Sequence, residues 1–470
     1  MPLFVGRQQD LAALDAELAR VRKTGEGAFI TVRGRRRVGK SRLIEHWVEQ
    51  RKLRHVFFSS PATTPAKDLD LFRDSVASST LPAASMASGV SFNRWQTALE
   101  LAANGATKAR PVVIVIDELP YLLTRQEKEE VESGVQHGWD RKLEKQPVIL
   151  ILVGSDIRMM AALATHGRPL FGRPTREMLV GPLTPREFGD LVKLAPVDAI
   201  DAYLVVGGFP GIVKNWPAGS DMWSFLKIAL TDPESSLIVN GERILAAEFP
   251  ADLQARTILR AIGSGETTFT NIQRTAGVPQ STLDRGLRLL TNAKGVVLAP
   301  TPLSAKLSDE KRYFVTDPYL RFWLRFIEPW LSEIDRGRSD LVLEEIRSAW
   351  NTYRGKAVEP IVRESVTRML PQDRFGDARF VGGYWTRKNV PEVDLVGVPK
   401  ERPKRVSFIG SIKWRNDSPF DGGDLHALRL VAPAVPGTDA NTLLLAVARS
   451  RIDAKGVDVG LLPADILAAW

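Results

Sequence analysis

The sequence predicts an α/β protein built around a parallel β-sheet. Two observations lead to this fold class. Apolar runs rich in Val and Ile alternate with helical segments, as in a sheet whose two faces are both covered by helices; the runs lie at 28–33, 111–123 and 147–156. The turn after the first run is rich in glycine and basic residues, and it leads into a segment whose apolar residues recur with helical spacing.

Length and composition are typical of a soluble protein with several domains. The 470 residues suggest about three domains. The net charge of +9 favours an anionic partner such as nucleic acid, and a basic protein without such a partner is the alternative. The chain contains no cysteine, which excludes disulfides and thiolate metal sites. We find no signal peptide and no apolar run of roughly 18 residues, so we expect a cytoplasmic protein without membrane contact.

The glycine-rich turn reads GRRRVGKS and fits the phosphate-binding pattern G-x-x-x-x-G-K-[ST] between a strand and a helix. In such a P-loop the glycines let backbone N–H groups surround phosphate oxygens, the lysine adds a positive charge beside the β- and γ-phosphates, and the serine offers a hydroxyl to Mg²⁺. The predicted ligands are therefore ATP and Mg²⁺. The candidate nucleotide-binding residues of this segment are Gly34, Arg35, Arg36, Arg37, Val38, Gly39, Lys40, Ser41 and Arg42.

A second apolar strand ends in two acids, Asp117 and Glu118. Asp117 can hold Mg²⁺ together with Ser41, and Glu118 can orient and deprotonate the attacking water. Ser155 lies at the tip of the next strand, in LVGSD, where its hydroxyl can contact the γ-phosphate. The alternative for Ser155 is a cap on the end of the strand.

Further segments follow the sheet-forming part, 1–180. Residues 181–245 are helical in character and predict a lid over the sheet domain. Residues 246–330 contain a helix, turn, helix, strand pattern. A charged stretch at 332–345 is expected to contain a linker. The C-terminal domain, 340–470, is predicted to be α/β, with one helix at 350–369 and strands at 378–386, 391–398 and 406–414.

Several segments together resemble the STAND-related AAA-type ATPases, and in particular the archaeal and bacterial ATPase family with a C-terminal DUF234 domain. These segments are FVGRQQDL, GRRRVGKS, VVIVIDELPYL, LVGSD and PLFGRPTREM. The resemblance implies that Val5, Gly6 and Arg7 contact the adenine or ribose. It also implies that Arg173 approaches the γ-phosphate, in cis or from a neighbouring subunit of a homo-oligomer. A surface arginine in a loop is the alternative for Arg173.

The 246–330 segment resembles a winged helix, the domain that this family has there. The resemblance implies that the second helix of the pair enters a DNA major groove and that basic residues contact phosphates. A packing or dimerisation module is the alternative. The candidate DNA contacts are Arg274, Gln280, Thr282, Arg285 and Arg288, with Lys306, Lys311 and Arg312 on the predicted wing.

The C-terminal segment resembles restriction-endonuclease-like domains with the PD-(D/E)xK pattern. It supplies Glu359 from a helix, Asp394 from PEVDLVGV and Lys413 from GSIKWR. In such sites carboxylates hold Mg²⁺ and the lysine polarises the attacking water. Ser411 departs from the pattern, which has an acid there, and Glu392 is the candidate replacement on the same strand face as Asp394. An inactive DNA-binding domain, an active nuclease and an unrelated α/β domain are the alternatives.

Together these observations predict an ATP-hydrolysing regulatory protein with a DNA-directed C-terminal half. Hydrolysis would depend on Lys40, Ser41, Asp117 and Glu118. One alternative is an active ATP-dependent DNA nuclease. The other is a non-catalytic interaction protein that binds ATP as a switch.

Overall fold

Five strands form the sheet of the first structural unit, Met1–Pro182, in a computed structural model of the chain. The structure describes residues 4, 6–61, 63–123, 128–217, 219–249, 252–388 and 390–470. The strands are β1 (Ala28–Arg33), β2 (Arg54–Ser59), β3 (Val112–Asp117), β4 (Val148–Gly154) and β5 (Arg176–Leu179). Their order across the sheet is β2-β3-β4-β1-β5, and every pairing is parallel.

Helices connect the strands of this sheet. Every residue of β3 and β4 is buried, which a strand reaches only when both faces of its sheet are covered. The predicted α/β fold with a parallel sheet is thereby confirmed. The helices of the unit are α1 (Gln8–Thr24), α2 (Lys40–Gln50), α3 (Pro65–Ala77), α4 (Ala84–Ala87), α5 (Trp95–Ala102), α6 (Leu119–Leu123), α7 (Lys128–Arg141) and α8 (Ile157–Ala162).

The strand order brings three strand ends together at one edge of the sheet. β4 lies between β3 and β1. Because all three strands run in the same direction, the segments that follow them begin at the same edge, where ligands of open α/β sheets usually bind. At this edge lie the GRRRVGKS loop after β1, Asp117 at the end of β3 with Glu118 directly after it, and Ser155 after β4.

Helices dominate the start of the second unit, Leu183–Trp470. The first begins at a capping box, in which the Thr184 hydroxyl accepts from the Glu187 N–H at 3.2 Å and the Glu187 carboxylate accepts from the Thr184 N–H at 2.8 Å. The glycine pair in VVGGFPGIV marks a close backbone approach, because a Cβ on Gly208 would lie 2.0 Å from the Leu183 carbonyl oxygen. These helices are α9 (Pro185–Val192), α10 (Pro196–Val206), α11 (Pro210–Val213), α12 (Met222–Thr231) and α13 (Ser236–Glu248).

Three helices and a two-stranded ribbon come next. Gly277 follows the second helix with a φ of 64°, a left-handed conformation that suits glycine. The third helix packs closely on the first, because a Cβ on Gly286 would lie 2.3 Å from Ile258 Cδ1. The helices are α14 (Leu253–Gly263), α15 (Phe269–Ala276) and α16 (Gln280–Arg288), and the antiparallel strands are β6 (Val297–Leu298) and β7 (Phe314–Val315).

A separate mixed sheet forms the core of the C-terminal part. Its strands are β8 (Phe380–Trp385), β9 (Glu392–Val398), β10 (Phe408–Lys413), β11 (Leu443–Ala448) and β12 (Val459–Leu461), in the order β12-β11-β10-β9-β8. β8, β9 and β10 pair antiparallel, whereas β10, β11 and β12 pair in parallel. The helices are α17 (Pro318–Phe322), α18 (Leu331–Asp335), α19 (Ser339–Ala357), α20 (Glu359–Met369), α21 (Gly422–Val431) and α22 (Pro463–Ala468).

In the stretch 332–345, which was predicted to contain a linker, residues 336–338 connect the end of α18 at Asp335 to the start of α19 at Ser339. One expectation about this part is wrong. The single helix predicted at 350–369 is two helices that meet at Val358, and Pro360 stands in the first turn of the second one. Proline lacks a donor N–H and clashes with the preceding turn, so it suits the start of a helix and interrupts a longer one.

None of the helices in the described part of the chain combines the length and apolar character that crossing a membrane requires.

A buried carboxylate joins three parts of the second unit. Asp201, on α10, accepts hydrogen bonds from Arg354 at 3.0 Å, from Trp414 Nε1 at 2.8 Å and from Arg449 at 3.0 and 3.1 Å. Arg354 is only 2% exposed, and burial lowers the pKa of its guanidinium while the charge of Asp201 opposes that shift. Asp201 therefore supplies the counter-charge that makes burial of Arg354 tolerable.

We expect Asp201→Ala to lower the free energy of unfolding of the second unit by about 3–5 kcal/mol, because it leaves buried positive charge without its partner. Urea denaturation followed by tryptophan fluorescence measures the change. Asp198→Ala is the matched control, since Asp198 is 55% exposed and 3.8 Å from Arg449; its loss should cost less than about 1 kcal/mol. Equal effects of the two substitutions would contradict the assignment.

Candidate functional site

The loop after β1 encloses the Lys40 side chain. Lys40 is 6% exposed, and its ammonium donates to the carbonyl oxygens of Gly34 at 2.9 Å and Arg35 at 3.0 Å. Gly39 has a φ of 91°, which side chains rarely allow. A Cβ on Gly34 would lie 2.2 Å from the Val180 carbonyl oxygen. Backbone geometry therefore requires both glycines of the motif.

Ser41 and Asp117 meet at the edge of the sheet. The Ser41 hydroxyl donates to Asp117 Oδ2 at 2.6 Å, and Asp117 Oδ1 accepts from the Glu118 N–H at 2.8 Å. Mg²⁺ in nucleotide sites is bound by one or two protein oxygens together with phosphate and water oxygens. This pair fits that ion, which when bound neutralises charge on the phosphates.

Burial shifts the pKa values of two charged groups in this site. It raises the pKa of Asp117, and the hydrogen bonds from Ser41 and the Glu118 N–H act against that rise. It lowers the pKa of Lys40; the charges of Glu118 and Asp117 act against that shift, and the charge of Arg36 adds to it. Charged groups held out of water at one strand edge are typical of a site that binds a charged ligand.

Glu118 is held by a side chain from the neighbouring strand. It has a φ of 52°, a conformation that is uncommon outside glycine and is often found at functional sites. The Ser155 hydroxyl donates to Glu118 Oε2 at 2.9 Å. Ser155 therefore orients the carboxylate that is predicted to act as the base.

The segment before α1 supports the phosphate loop. Gly6 and Arg7 have left-handed φ values of 73° and 61°. The buried Arg7 guanidinium donates to the Val38 carbonyl oxygen at 2.7 Å and lies 3.6 Å from Asp10. Arg7 thus braces the loop, and the contact of Gly6 and Arg7 with a nucleoside stays a prediction. Val5, the third residue of that prediction, lies outside the described residues.

The three consecutive arginines of the loop have different surroundings. Arg35 is half-buried, whereas Arg36 and Arg37 are exposed. Arg37 has a left-handed φ of 67°. The Arg36 guanidinium donates to the Tyr121 hydroxyl at 2.6 Å. Arg36 therefore bridges the phosphate loop and the helix that follows the two acids.

Two other predicted nucleotide contacts pair with acids in the described structure. Arg42 lies 3.5 Å from both Glu45 and Glu49 along α2. Arg173 donates two hydrogen bonds of 2.7 Å to the carboxylate of Asp140, at the end of α7. Both arginines therefore have acidic partners within the first unit.

Arg173 lies near the opposite edge of the sheet from the phosphate loop. Two residues after it, the Thr175 N–H donates to the Phe29 carbonyl oxygen at the beginning of β1, at 2.7 Å. The loop begins after the other end of this strand, at Gly34, and five residues of strand span roughly 16 Å. In this arrangement Arg173 does not reach a phosphate in the loop of its own chain.

Two residues were missing from the sequence-based candidates, and both contact arginines that were predicted to bind the nucleotide. Tyr121 follows Glu118 by three residues, and its N–H donates to the Glu118 carbonyl oxygen at 2.9 Å. A phenol in the first turn after the acids is a signal that could have been used. Asp140 has no comparable signal, because its partner Arg173 lies 33 positions away.

Two acids of the predicted nuclease-like centre pair with cations of the same chain. Glu359 contacts Arg363 at 2.8 Å and Lys356 at 3.2 Å. Glu392 contacts Arg312 at 2.8 Å and Lys356 at 3.2 Å. Burial raises the pKa of Glu359. Burial also opposes ionisation of Glu392, but the contacts with Arg312 and Lys356 outweigh it and lower its pKa.

The other members of that centre lie on β9 and β10. Asp394 Oδ2 accepts from the Ser411 hydroxyl at 3.2 Å and from the Ile412 N–H at 2.8 Å. The ammonium of Lys413 lies 3.7 Å from Asp424, on α21. Lys413 therefore pairs with an acid that was not part of the predicted centre.

This charge pattern bears on the nuclease hypothesis. Across the described ranges, no three His, Cys, Asp or Glu side chains are grouped so that they could hold a metal ion. Arg312, Lys356 and Arg363 instead supply positive charge beside the acids. The nuclease-like centre stays a prediction, and its charge balance favours the alternative without metal-dependent cleavage.

The predicted DNA contacts differ in their availability. Arg285 donates to Gln254 on α14 at 2.9 Å and is still exposed. Arg312 stacks 4.7 Å from the centre of the Trp385 ring, in addition to its pair with Glu392. Thr282 is half-buried, and the exposed candidates are Arg274, Gln280, Arg285, Arg288, Lys306 and Lys311.

Two parts of the chain match known protein families. Residues 4–215 match a family described as an ATPase domain predominantly from Archaea, and residues 323–422 match DUF234, described as archaeal and bacterial proteins of unknown function. An uncharacterized protein of Methanocaldococcus jannaschii is 25% identical over 461 residues, which cover 96% of this chain and 97% of that protein. The chain thus carries an ATPase domain followed by a DUF234 segment, and the prediction of an ATP hydrolase is confirmed.

Solved structures also resemble the chain. The Walker-type ATPase of Pyrococcus abyssi is 18% identical, with 68% of this chain and 96% of that chain covered and a TM-score of 0.48. The ORC2 protein of Aeropyrum pernix, in complexes with ADPNP and ADP, is 14% identical, with 74% and 96% covered and a TM-score of 0.46.

Proposed function

We propose that this protein is a Mg²⁺-dependent regulatory ATPase whose second unit contacts DNA. The observation that carries the proposal is the 2.6 Å hydrogen bond between Ser41 and Asp117, with Glu118 as the next residue. A metal-binding pair and a base therefore adjoin the loop that encloses Lys40. The DNA-directed part rests on the net charge of +9 and on the exposed basic residues of α15 and α16.

Each residue of the site has a defined task in hydrolysis. Lys40 stabilises the negative charge of the β- and γ-phosphates, and Ser41 and Asp117 would hold Mg²⁺, which would neutralise further phosphate charge. Glu118 orients the attacking water and accepts its proton. Ser155 holds one oxygen of the Glu118 carboxylate, so that the other oxygen faces the water.

Arg173 contributes from a neighbouring copy of the chain. Its position near the start of β1 separates it from the loop of its own chain. A guanidinium supplied by another molecule can stabilise charge on the transferred phosphate. A phosphate group can take the place of Asp140, because both are anionic partners that can accept two parallel N–H groups of the guanidinium.

We expect Glu118→Gln to lower ATP turnover by about 100-fold or more, because it removes the general base. Binding of ATP should stay within about threefold of wild type. Gln keeps the shape of the side chain, and the substitution removes no charge-assisted contact with a phosphate. Steady-state phosphate release and equilibrium titration measure the two quantities.

Glu130→Gln, on the exposed part of α7, is the matched control and should turn over like wild type. If wild type and Glu118→Gln are equally slow while both bind ATP, the chain is the non-catalytic switch instead.

If Arg173 acts on the nucleotide bound to a neighbouring copy, two inactive variants should restore each other's ATP turnover when mixed. Lys40→Ala has an intact Arg173, and Arg173→Ala has an intact loop, so each variant alone should lose roughly 10³-fold of the turnover or more. Mixing the two should restore turnover well above the sum of the separate rates. Absence of recovery, or wild-type turnover in Arg173→Ala, would contradict a role between copies.

Contact with DNA phosphates predicts a salt-dependent defect in Arg285→Ala/Arg288→Ala. We expect weaker DNA binding and a slope of log affinity against log salt that is smaller by about 2, one for each lost phosphate contact. Fluorescence anisotropy over a salt series measures both. Arg402→Ala/Lys404→Ala, two exposed basic residues between β9 and β10, should leave the slope unchanged. An equal change in both double variants would mean that only net charge matters.

A plasmid assay with wild type, Asp394→Ala and Lys40→Ala tests DNA cleavage. Plasmid incubated with Mg²⁺ or Mn²⁺, with and without ATP, should remain intact, because the acids of the C-terminal cluster pair with internal cations. Nicking by wild type that is absent in Asp394→Ala would establish the nuclease alternative. Its additional loss in Lys40→Ala would make that nuclease dependent on ATP.

A further inference from the structure

Arg36 reaches from the phosphate loop to the helix behind the two acids. Its guanidinium donates to the Tyr121 hydroxyl at 2.6 Å and lies 5.8 Å from the centre of the Tyr121 ring. Tyr121 belongs to α6, which begins two residues after Asp117. The side chain of Arg36 therefore spans the distance between the loop and the end of β3.

The region that Arg36 spans is also the region where the terminal phosphate must lie. Glu118 acts on a water that attacks the γ-phosphate, so this phosphate has to lie between the loop and Glu118. Arg36 joins the loop to the segment that carries Glu118. A nucleoside diphosphate bound in the same loop has no phosphate group at this position.

The present partner of Arg36 is a weak one for an arginine. The phenol of Tyr121 offers one neutral oxygen, whereas a phosphate offers charged oxygens that can accept two N–H groups of a guanidinium. The positive charge of Arg36 lies near enough to Lys40 to act on its pKa. Two cations that converge on one loop repel each other unless an anion lies between them.

From this geometry we propose that Arg36 contacts the terminal phosphate of the bound nucleoside triphosphate, exchanging the Tyr121 hydroxyl for a phosphate oxygen. Arg36 is then the residue by which the site distinguishes a triphosphate from a diphosphate. The Tyr121 hydroxyl is the acceptor that Arg36 gives up when the terminal phosphate binds, so it competes with that phosphate for the guanidinium. The inference rests on the ATP site proposed above and adds to it a residue that responds to the γ-phosphate.

The test compares two ligands that differ in the terminal phosphate. Isothermal titration measures binding of Mg²⁺–ADP and of the non-hydrolysable analogue Mg²⁺–ADPNP. The proteins are wild type, Arg36→Ala, Arg36→Lys and Tyr121→Phe. Arg110→Ala is the matched control, because Arg110 is an exposed arginine just before β3, at the other edge of the sheet.

We expect Arg36→Ala to weaken binding of ADPNP by about 10- to 100-fold, the effect of one charge-assisted hydrogen bond. Binding of ADP should change by less than about threefold, because the diphosphate lacks the group in question. Arg36→Lys should recover part of the affinity for ADPNP, since it retains the charge but not the planar fork. Tyr121→Phe should leave ADP binding unchanged and tighten ADPNP binding a few-fold, about the effect of removing a neutral competing acceptor.

Three results would overturn the inference. Equal weakening of ADP and ADPNP in Arg36→Ala would mean that Arg36 only shapes the loop, and unchanged binding of both would mean that it touches neither. Loss of ADPNP affinity in Arg110→Ala would mean that the overall positive charge of the protein, and not a contact of Arg36, determines the affinity for ADPNP. If wild type binds neither nucleotide, the ATP site itself fails, and this outcome is distinct from the first two, in which wild type binds both.

Discussion

The order β3-β4-β1 within a parallel sheet decides where phosphate chemistry can occur in this chain. Parallel strands gather their carboxyl ends at one edge, so a loop after β1, acids after β3 and a hydroxyl after β4 become neighbours although more than 110 residues of chain separate the first from the last. The contacts from Ser41 to Asp117 and from Ser155 to Glu118 follow from this order. The same constraint separates Arg173 from the loop, because the residue lies near the beginning of β1.

Buried charge serves two different purposes in the two units. In the first unit Lys40 and Asp117 are both buried. Burial lowers the pKa of Lys40 and raises the pKa of Asp117, so it favours the neutral form of each group. A bound phosphate and its metal ion would replace the lost hydration, so the cost of burial prepares the site for a ligand. In the second unit Asp201 meets Arg354 and Arg449 with direct hydrogen bonds. That cluster already contains its own counter-charges, which is the arrangement of a structural contact.

The sequence is most informative where chemistry leaves few choices of residue. A lysine and two acids at the ends of apolar strands could be found because phosphate, metal and water each require a particular group, and strand β1 was predicted with the bounds that it has in the structure. The partners of Arg36 and Arg173 could not be found in this way. Each depends on tertiary contacts across 85 and 33 positions, and a pattern of local spacing carries no information about them. The break at Val358 did have a local signal, because Pro360 suits the first turn of a new helix better than the interior of a longer one, and the prediction of a single helix did not use it.

The acids of the C-terminal sheet and the predicted wing are not independent features. Arg312, on the predicted wing, donates two hydrogen bonds to Glu392 at 2.8 and 3.2 Å and stacks on Trp385. A metal ion at Glu392 would have to displace Arg312 and Lys356, and a predicted wing that follows a DNA groove would have to give up the contact of Arg312 with Glu392. One carboxylate therefore ties together the two activities that the sequence suggested for this half of the chain. Breaking this partly buried charge pair leaves the guanidinium of Arg312 without its anionic partner. A ligand that takes Arg312 from Glu392 must therefore be anionic. A phosphate backbone meets that condition, and a divalent cation does not.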